Sequence, residues 1–581
     1  MPRSHYTPWF SPLLILFFLL SACTAGSLNN PAIDPIPSQT PTVLPSPTAQ
    51  PTATDLPSPT PSPQPTSTPE QLKDLTLWIS PAIPDGLRSR LHIPTVIRQV
   101  DQPDGASLKL EPVSGQSEAA GVYPIQWLYA VVAPFPTLQD NVSLADIQNT
   151  WFGKAFNVFG GKPLLMDQST RLALESLWGP PEDSLIKVVD GQSLLQQAWN
   201  EMPAWAIVPF DELEPRWKVL HLNGMDILDK KFDPATYPLV VHFDLVGNPQ
   251  DLRTLTSGGI DLPGMAPQTN RDVNKLTVLV MTGTTALTRH TAYTMETDGV
   301  LYPARDIGDW LRDADLTHIS NEVSFDPNCP PAVPLREEMR FCSAPKYLDL
   351  LKNIHANVIE LTGNHLVDWG IDPLNFTLDL YKQNNLPYYG GGANLAEAQK
   401  PLFIENHGNR LVFLGCNNTG PENDLATPDQ PGANPCDMDA LEAQIKDLKS
   451  QGYLPILTFQ HFEYGTFDGY KPQSGQRVDF QRMAAAGAVI VSGSQAHYPL
   501  AKTFVGQNFV DYGLGNLFFD QMEDFARPEF IDRHVFYDGR YISTELLTAM
   551  LEDYAKPRPM TAPERVKLLT DIFAASDWNQ K

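Results

Sequence analysis

Residues 31–70 hold 13 prolines, eight threonines and five serines, and this run decides where the chain can fold and where it cannot. Proline fixes φ and removes a backbone donor, so a segment this rich in it adopts extended polyproline II rather than joining a core. At ~3.1 Å per residue, forty residues reach on the order of 120 Å. A stalk is expected here, with folded matter beginning only after it. The roughly 510 residues that remain divide more naturally into two large domains than into several average ones.

The segment before the stalk reads as an address. Arg3 precedes the apolar run Leu13-Leu14-Ile15-Leu16-Phe17-Phe18-Leu19-Leu20, which falls short of the ~20 residues a spanning helix needs. The run ends at Leu20-Ser21-Ala22-Cys23 and resembles a bacterial lipoprotein signal, with an ordinary secretory signal as the alternative. The resemblance implies lipid on Cys23 and an extracytoplasmic chain anchored to the cell membrane, each buried acyl carbon contributing ~0.8 kcal/mol. Without Cys23 four cysteines remain, an even number in an exported chain, and they allow three pairings. Their short spacings favour Cys329–Cys342 and Cys416–Cys436. Zinc is the rival, although no C-x-x-C spacing occurs.

Lysine and arginine number 41 against 67 acidic residues, a net charge of −26. Residues 24–70 contain only three acids, so the charge belongs to the folded part. It excludes nucleic acid as a partner, since phosphate binding needs a basic stripe, and it disfavours adhesion to anionic lipid.

The expected order is a signal peptide (1–23), a Pro/Thr/Ser linker (24–72), an α/β domain (73–270), a histidine-bearing α/β domain (271–540) and a helical extension (541–581). In the first domain Leu75–Ile79, Trp127–Ala133, Leu185–Val189, Ala204–Val208 and Leu239–Phe243 are strand-like. Helices are expected after the caps Ser143 and Ser169. Alternation of this kind implies an α/β layer with a largely parallel sheet. The stretch Tyr129–Pro136, then Ser143–Ile147 and Trp151-Phe152-Gly153, resembles solute-binding proteins of the periplasmic-binding type. That resemblance implies a small-solute ligand, the alternative being a purely structural domain.

Eight of the twelve histidines follow residue 271. Three apolar strands run into histidine-bearing loops: Val358–Leu361 into Gly363-Asn364-His365, Ile456–Gln460 into His461-Phe462-Glu463, and Ala488–Gly493 into Ser494-Gln495-Ala496-His497. Ligands of α/β sheets gather beyond the strands' carboxyl ends, where these loops would meet. Amide, imidazole and carboxylate donors form the usual set for a hydrolytic divalent metal. No G-x-S-x-G elbow appears, which disfavours a serine hydrolase. Lys471-Pro472-Gln473 and Gln476 line either a polar cleft or a solvated loop.

Residues 275–525, nearly half the chain, resemble the poly-γ-glutamate capsule-synthesis (CapA-type) family. The matching phrases are Gly283 to Arg289, Asn321-Glu322, Gly363-Asn364-His365 with Asp368 and Gly370, Tyr389–Ala398, the His461 and His497 loops, and Val510–Asp520 with its Gly513-Leu514-Gly515-Asn516 core. The resemblance implies a calcineurin-like metallophosphoesterase-type α/β/α sandwich. It also implies a divalent metal (Mn, Zn or Fe) held by Glu322, Asn364, His365, His461 and His497. His365, Asn364 and Glu463 would be catalytic, and Asp368, Gln495 and Thr284 would stand behind the ligands.

Three positions depart from the family. Gly283-Thr284 replaces Gly-Asp, Gln495 replaces one histidine of a pair, and Ser320 stands where the family's N-L-E phrase has asparagine. A neutral hydroxyl at position 284 cannot bridge two ions as a carboxylate would. The function implied is metal-dependent hydrolysis or transfer on poly-γ-glutamate or another extracellular polymer. The alternative is a lipoprotein that binds solute or polymer without chemistry.

Overall fold

The computed structural model describes residues 75–113, 123–154, 159–257, 264–334, 339–461 and 467–578. The signal, Cys23, the stalk and Glu463 lie outside these residues. Among the described residues no helix is long and apolar enough to cross a membrane.

The first region is built on a ten-stranded sheet drawn from residues 75–247. Its central strand, Ile125–Pro134, is almost wholly buried, as its continuous apolar run requires. The expected strands are present, but the sheet is mixed: Ile125–Pro134 runs antiparallel to Val240–Gly247, Trp205–Pro209 and Trp217–Leu222. Alternating α and β segments fix the layers but not the direction in which each strand runs. Ser143 caps Leu144–Trp151 in a capping box with Asp146. The next helix is capped by Asp167 rather than Ser169, its carboxylate accepting from the Thr170 N–H at 2.7 Å. Trp151, fully buried, donates its indole N–H to the Gly179 carbonyl at 2.9 Å.

The second region is a sandwich of two sheets. One has nine strands centred on Leu276–Thr282, Leu316–Asn321 and Val358–Glu360; the other has six, including Asn409–Asn417, Leu454–Gln460 and Ile490–Ser492. Leu279, Met281, Phe413, Ile456, Ile490 and Phe530 pack between the two sheets. The outer faces carry helices, Ile371–Gln383 on one and Met438–Ser450 with Ser474–Ala486 on the other. The α/β layering is as expected, with two sheets instead of one between the helices. The helical extension expected over 541–581 begins instead with strands of the nine-stranded sheet, Arg540–Glu552 and Lys556–Pro559, and its helix is Ala562–Ala575. The long Arg540–Glu552 strand pairs antiparallel with Pro528–Tyr537 along its length, and most of its residues are buried.

Both disulfides are formed, Cys329–Cys342 and Cys416–Cys436. The hairpin Leu402–Asn406/Asn409–Asn417 turns through His407 and Gly408, both at positive φ. The two regions share apolar core at Leu276, Val278, Val535 and Tyr537. They are also joined by Arg565 on Asp140 at 2.9 Å and by Lys230 on Asp315 at 2.7 Å.

Candidate active site at the strand ends

Parallel strands Leu276–Thr282, Leu316–Asn321 and Val358–Glu360 end side by side, and the loops beyond them carry the predicted residues. The close approach of these loops explains two glycine phrases. A Cβ on Gly363 would lie 2.6 Å from the Glu322 backbone, and one on Gly283 only 1.8 Å from the Gly515 carbonyl oxygen. That carbonyl in turn accepts from the Thr284 N–H at 3.0 Å.

Glu322 is wholly buried, and neither carboxylate oxygen has a hydrogen-bond partner. His497 Nε2 stands 3.6 Å from Glu322 Oε1. Asn516 orients that ring: its Oδ1 lies 3.0 Å from His497 Nδ1, and its amide donates to the His497 carbonyl at 2.9 Å. Gln495, 2% exposed, likewise has both amide atoms without a partner. The Thr284 hydroxyl donates to the Ala496 carbonyl at 3.4 Å, so this residue serves the histidine loop's backbone.

The other two histidines turn elsewhere. His365 Nδ1 lies 2.8 Å from Asp368 Oδ2, the oxygen that also accepts from the Phe341 N–H at 2.7 Å. Phe341 packs on the imidazole with ring centroids 4.2 Å apart. Burial alone would lower the His365 pKa, but the Asp368 bond and the charges of Glu322, Asp368 and Asp424 outweigh it and raise it. His461 Nε2 faces Asp479 at 3.1 Å, and Asn364 Oδ1 accepts from Gln460 at 3.2 Å. The structure thus places Glu322 with His497 and His365 with Asp368. Among the described residues no three His, Cys, Asp or Glu side chains converge as a metal-ligand group.

Asp424 and Asp479 were not singled out in the sequence. Asp424 is fully buried and accepts from the Val367 N–H at 2.9 Å. Burial first, then the charges of Asp368 and Glu322, push its carboxyl up to about 7. It follows a loop proline and carries no periodic signal, so nothing local marked it. Asp479 is on the helix Ser474–Ala486, where an acid reads as surface. Gln476, by contrast, is buried and donates to the Tyr512 carbonyl at 2.7 Å rather than lining a cleft. Asp520, closing the Val510–Asp520 phrase, pairs with Arg289.

The first region has a separate cleft of about 760 Å³. Asp167 and Asp190 on its wall cap two helices, accepting from Thr170 N–H and Gln192 N–H. Asp211 pairs with Arg90, and Glu214 with Arg216 at 3.1 Å.

An α/β sandwich that brings carboxylate, imidazole and amide groups together beyond its parallel strand ends has the layout of a polar ligand or catalytic centre in an α/β protein. Residues 278–521 match the family described as bacterial capsule synthesis protein PGA_cap. It is similar to the capsule biosynthesis protein CapA of Bacillus anthracis, 25% identical over 55% of this chain and 78% of that one. Similarity to the PGA biosynthesis protein CapA of Bacillus subtilis is 24% identity over 35% of this chain and 52% of that protein, so only about half of that relative is spanned. Among solved structures, a 5′-nucleotidase precursor from Thermus thermophilus is similar at 12% identity and a TM-score of 0.28, covering 51% of this chain and 58% of that one. That likeness is too low to bear on chemistry.

Proposed function

We propose that the protein is a cell-surface capsule-synthesis protein that acts on poly-γ-glutamate or another extracellular polymer, with one divalent cation at Glu322 and His497. The observation that carries this reading is the buried, unpartnered Glu322 carboxylate facing an oriented imidazole. A buried carboxylate without a partner is costly, and a cation removes the cost.

The donor set fits one ion rather than two. Thr284 offers a hydroxyl already engaged with the Ala496 carbonyl, and Gln495 offers an amide where the family has imidazole. Glu322, His497 and the Gln495 amide oxygen would hold the ion, which would supply Lewis-acid polarisation of a substrate oxygen. His365, locked by Asp368 through Nδ1, presents its Nε2 as the atom that gives a proton to a leaving group. Phe341 covers one face of that ring and keeps water from it. Asp424 adds negative charge nearby and favours the protonated imidazole. Lipid on Cys23 and the 31–70 stalk would hold this site away from the membrane, where an extracellular polymer is within reach.

Metal analysis of the purified chain, with Mn²⁺ titration calorimetry, tests the reading. One ion per chain is expected in the wild type and none in Glu322→Gln. Absence of stoichiometric Mn, Zn or Fe, with polymer processing unchanged in His365→Ala, would sink it.

A further inference from the structure

Directly beneath the site lies a carboxylate that the proposed chemistry does not use. Glu360 is fully buried at the end of the strand Val358–Glu360. Its Oε1 accepts from the Thr362 hydroxyl at 2.6 Å, and its Oε2 accepts from the Ser494 hydroxyl. His318 Nε2, on the neighbouring strand, is 3.4 Å from the same Oε2 and 2.8 Å from the Tyr389 hydroxyl. Tyr389 then meets the Thr458 hydroxyl at 3.0 Å, which carries the chain of bonds across to the second sheet.

Thr362 and Ser494, bonded to Glu360 directly, and Thr458, reached through His318 and Tyr389, each sit at the root of a different site loop. Thr362 immediately precedes Gly363-Asn364-His365, Thr458 is three residues before His461, and Ser494 is three before His497. The three loops come from strands of two sheets, and among the described residues no backbone hydrogen bonding joins all three. We propose that Glu360 is a positioning residue: one buried carboxylate that holds the Asn364, His461 and His497 loops in register with one another.

Burial alone would raise the Glu360 carboxyl, yet the hydrogen bond and charge of His318, with the Ser494 and Thr362 bonds, hold it below its ordinary value. The carboxylate form that can accept from all these donors is the one the fold keeps. A neutral amide offers one acceptor oxygen in place of two, so Glu360→Gln preserves volume and breaks the arrangement. Glu529 provides the comparison. It is equally buried on Pro528–Tyr537, but its oxygens have no hydrogen-bond partner and so tie no loop.

The inference rests on the strand ends being the working site, and its test separates the two. Hydrogen exchange is followed on the full chain in the segments 361–365, 457–461 and 493–498, and Mn²⁺ affinity is measured by calorimetry. Glu360→Gln should speed exchange about tenfold or more in all three segments at once. It should also weaken Mn²⁺ binding by about ten- to hundredfold, the usual cost of losing a group behind a ligand. Glu529→Gln should change neither. Ser494→Ala should loosen 493–498 alone. Faster exchange confined to 361–365, or spread evenly over the sandwich, would overturn the role. If Glu360→Gln does not fold, Ser494→Ala, Thr362→Val and Thr458→Val must each loosen their own loop, and failure of all three overturns it. A wild type that binds no Mn²⁺ removes the cation reading, while the exchange pattern still decides the positioning role.

Discussion

In the cleft of the first region, Asp167 and Asp190 cap helices and Asp211 and Glu214 face arginines; in the strand-end pocket, Glu322 has both oxygens buried and unpartnered. Both places concentrate carboxylates, but the first satisfies most of them with its own donors. The helix N-termini that would otherwise attract an anion are already occupied by aspartates. The second leaves a buried carboxylate with no hydrogen-bond donor among the described residues, His497 standing 3.6 Å away. Acid-rich composition therefore does not mark a cation site. What marks one here is a buried carboxylate without a hydrogen-bond partner that also faces an oriented imidazole, as Glu322 faces His497.

The largest effect that bears on this contrast concerns how the pocket is held together. Both disulfides lie in the second region, and the Cys329–Cys342 bridge fixes the segment whose Phe341 touches His365 and Asp368. Loops of these lengths lose about 3 kcal/mol of stability per bridge when opened. Denaturant unfolding with and without reductant should show a combined loss of about 6 kcal/mol. An unchanged midpoint would mean that the pocket needs no such staple. Next in size is the pocket's own carboxylate. Glu322→Gln should lower Mn²⁺ affinity at least about a hundredfold, or ~2.7 kcal/mol, whereas Asp190→Asn in the cleft should leave it unchanged. Equal losses in the two variants would erase the distinction between the places.

The sequence showed much of this layout and little of its pairing. Apolar strands ending in Gly, Asn and His located the loops that lie beyond the strand ends, because burial on both faces of a parallel strand forces continuous apolar runs. The Gly513-Leu514-Gly515-Asn516 phrase was legible as well. Gly515 sits at positive φ against Gly283, and Asn516 orients His497. Which histidine faces which acid was not legible. His365 and His461 turned to Asp368 and Asp479, a choice made by side-chain rotamers and by a helix surface 18 residues further on. Glu360 was read only as part of a strand, since an acid inside an apolar run has no periodic meaning until its partners from two sheets are in place. The strands at 540–559 were missed because the capping box at Thr561, a genuine helix start, drew the whole tail into a helical reading.

The smallest effect tests whether the cleft is as self-contained as the contrast requires. One of its acids, Glu212, has no arginine of its own. Burial, then the charges of Asp167, Asp211 and Asp85, push its carboxyl up to about 8, with Arg540 acting in the opposite direction. The fold therefore prefers the neutral acid. Below about pH 4.5 both folded and unfolded states hold the proton, and the group contributes nothing to the pH dependence. Between about 4.5 and 8 the unfolded chain releases its proton first, so the folded state binds more protons and stability falls as pH rises. Above about 8 the penalty is complete. Partial solvent access discounts its size to about 1–2 kcal/mol. Glu212→Gln should match the wild type near pH 5 and exceed it by that margin near pH 9 in thermal or denaturant melts. Inorganic phosphate should stabilise neither form, because the helix N-termini are already capped by Asp167 and Asp190. A phosphate-dependent rise in melting temperature that Asp190→Asn enhances would show that the cleft is open to anions, and the contrast with the strand-end pocket would then rest on Glu322 alone.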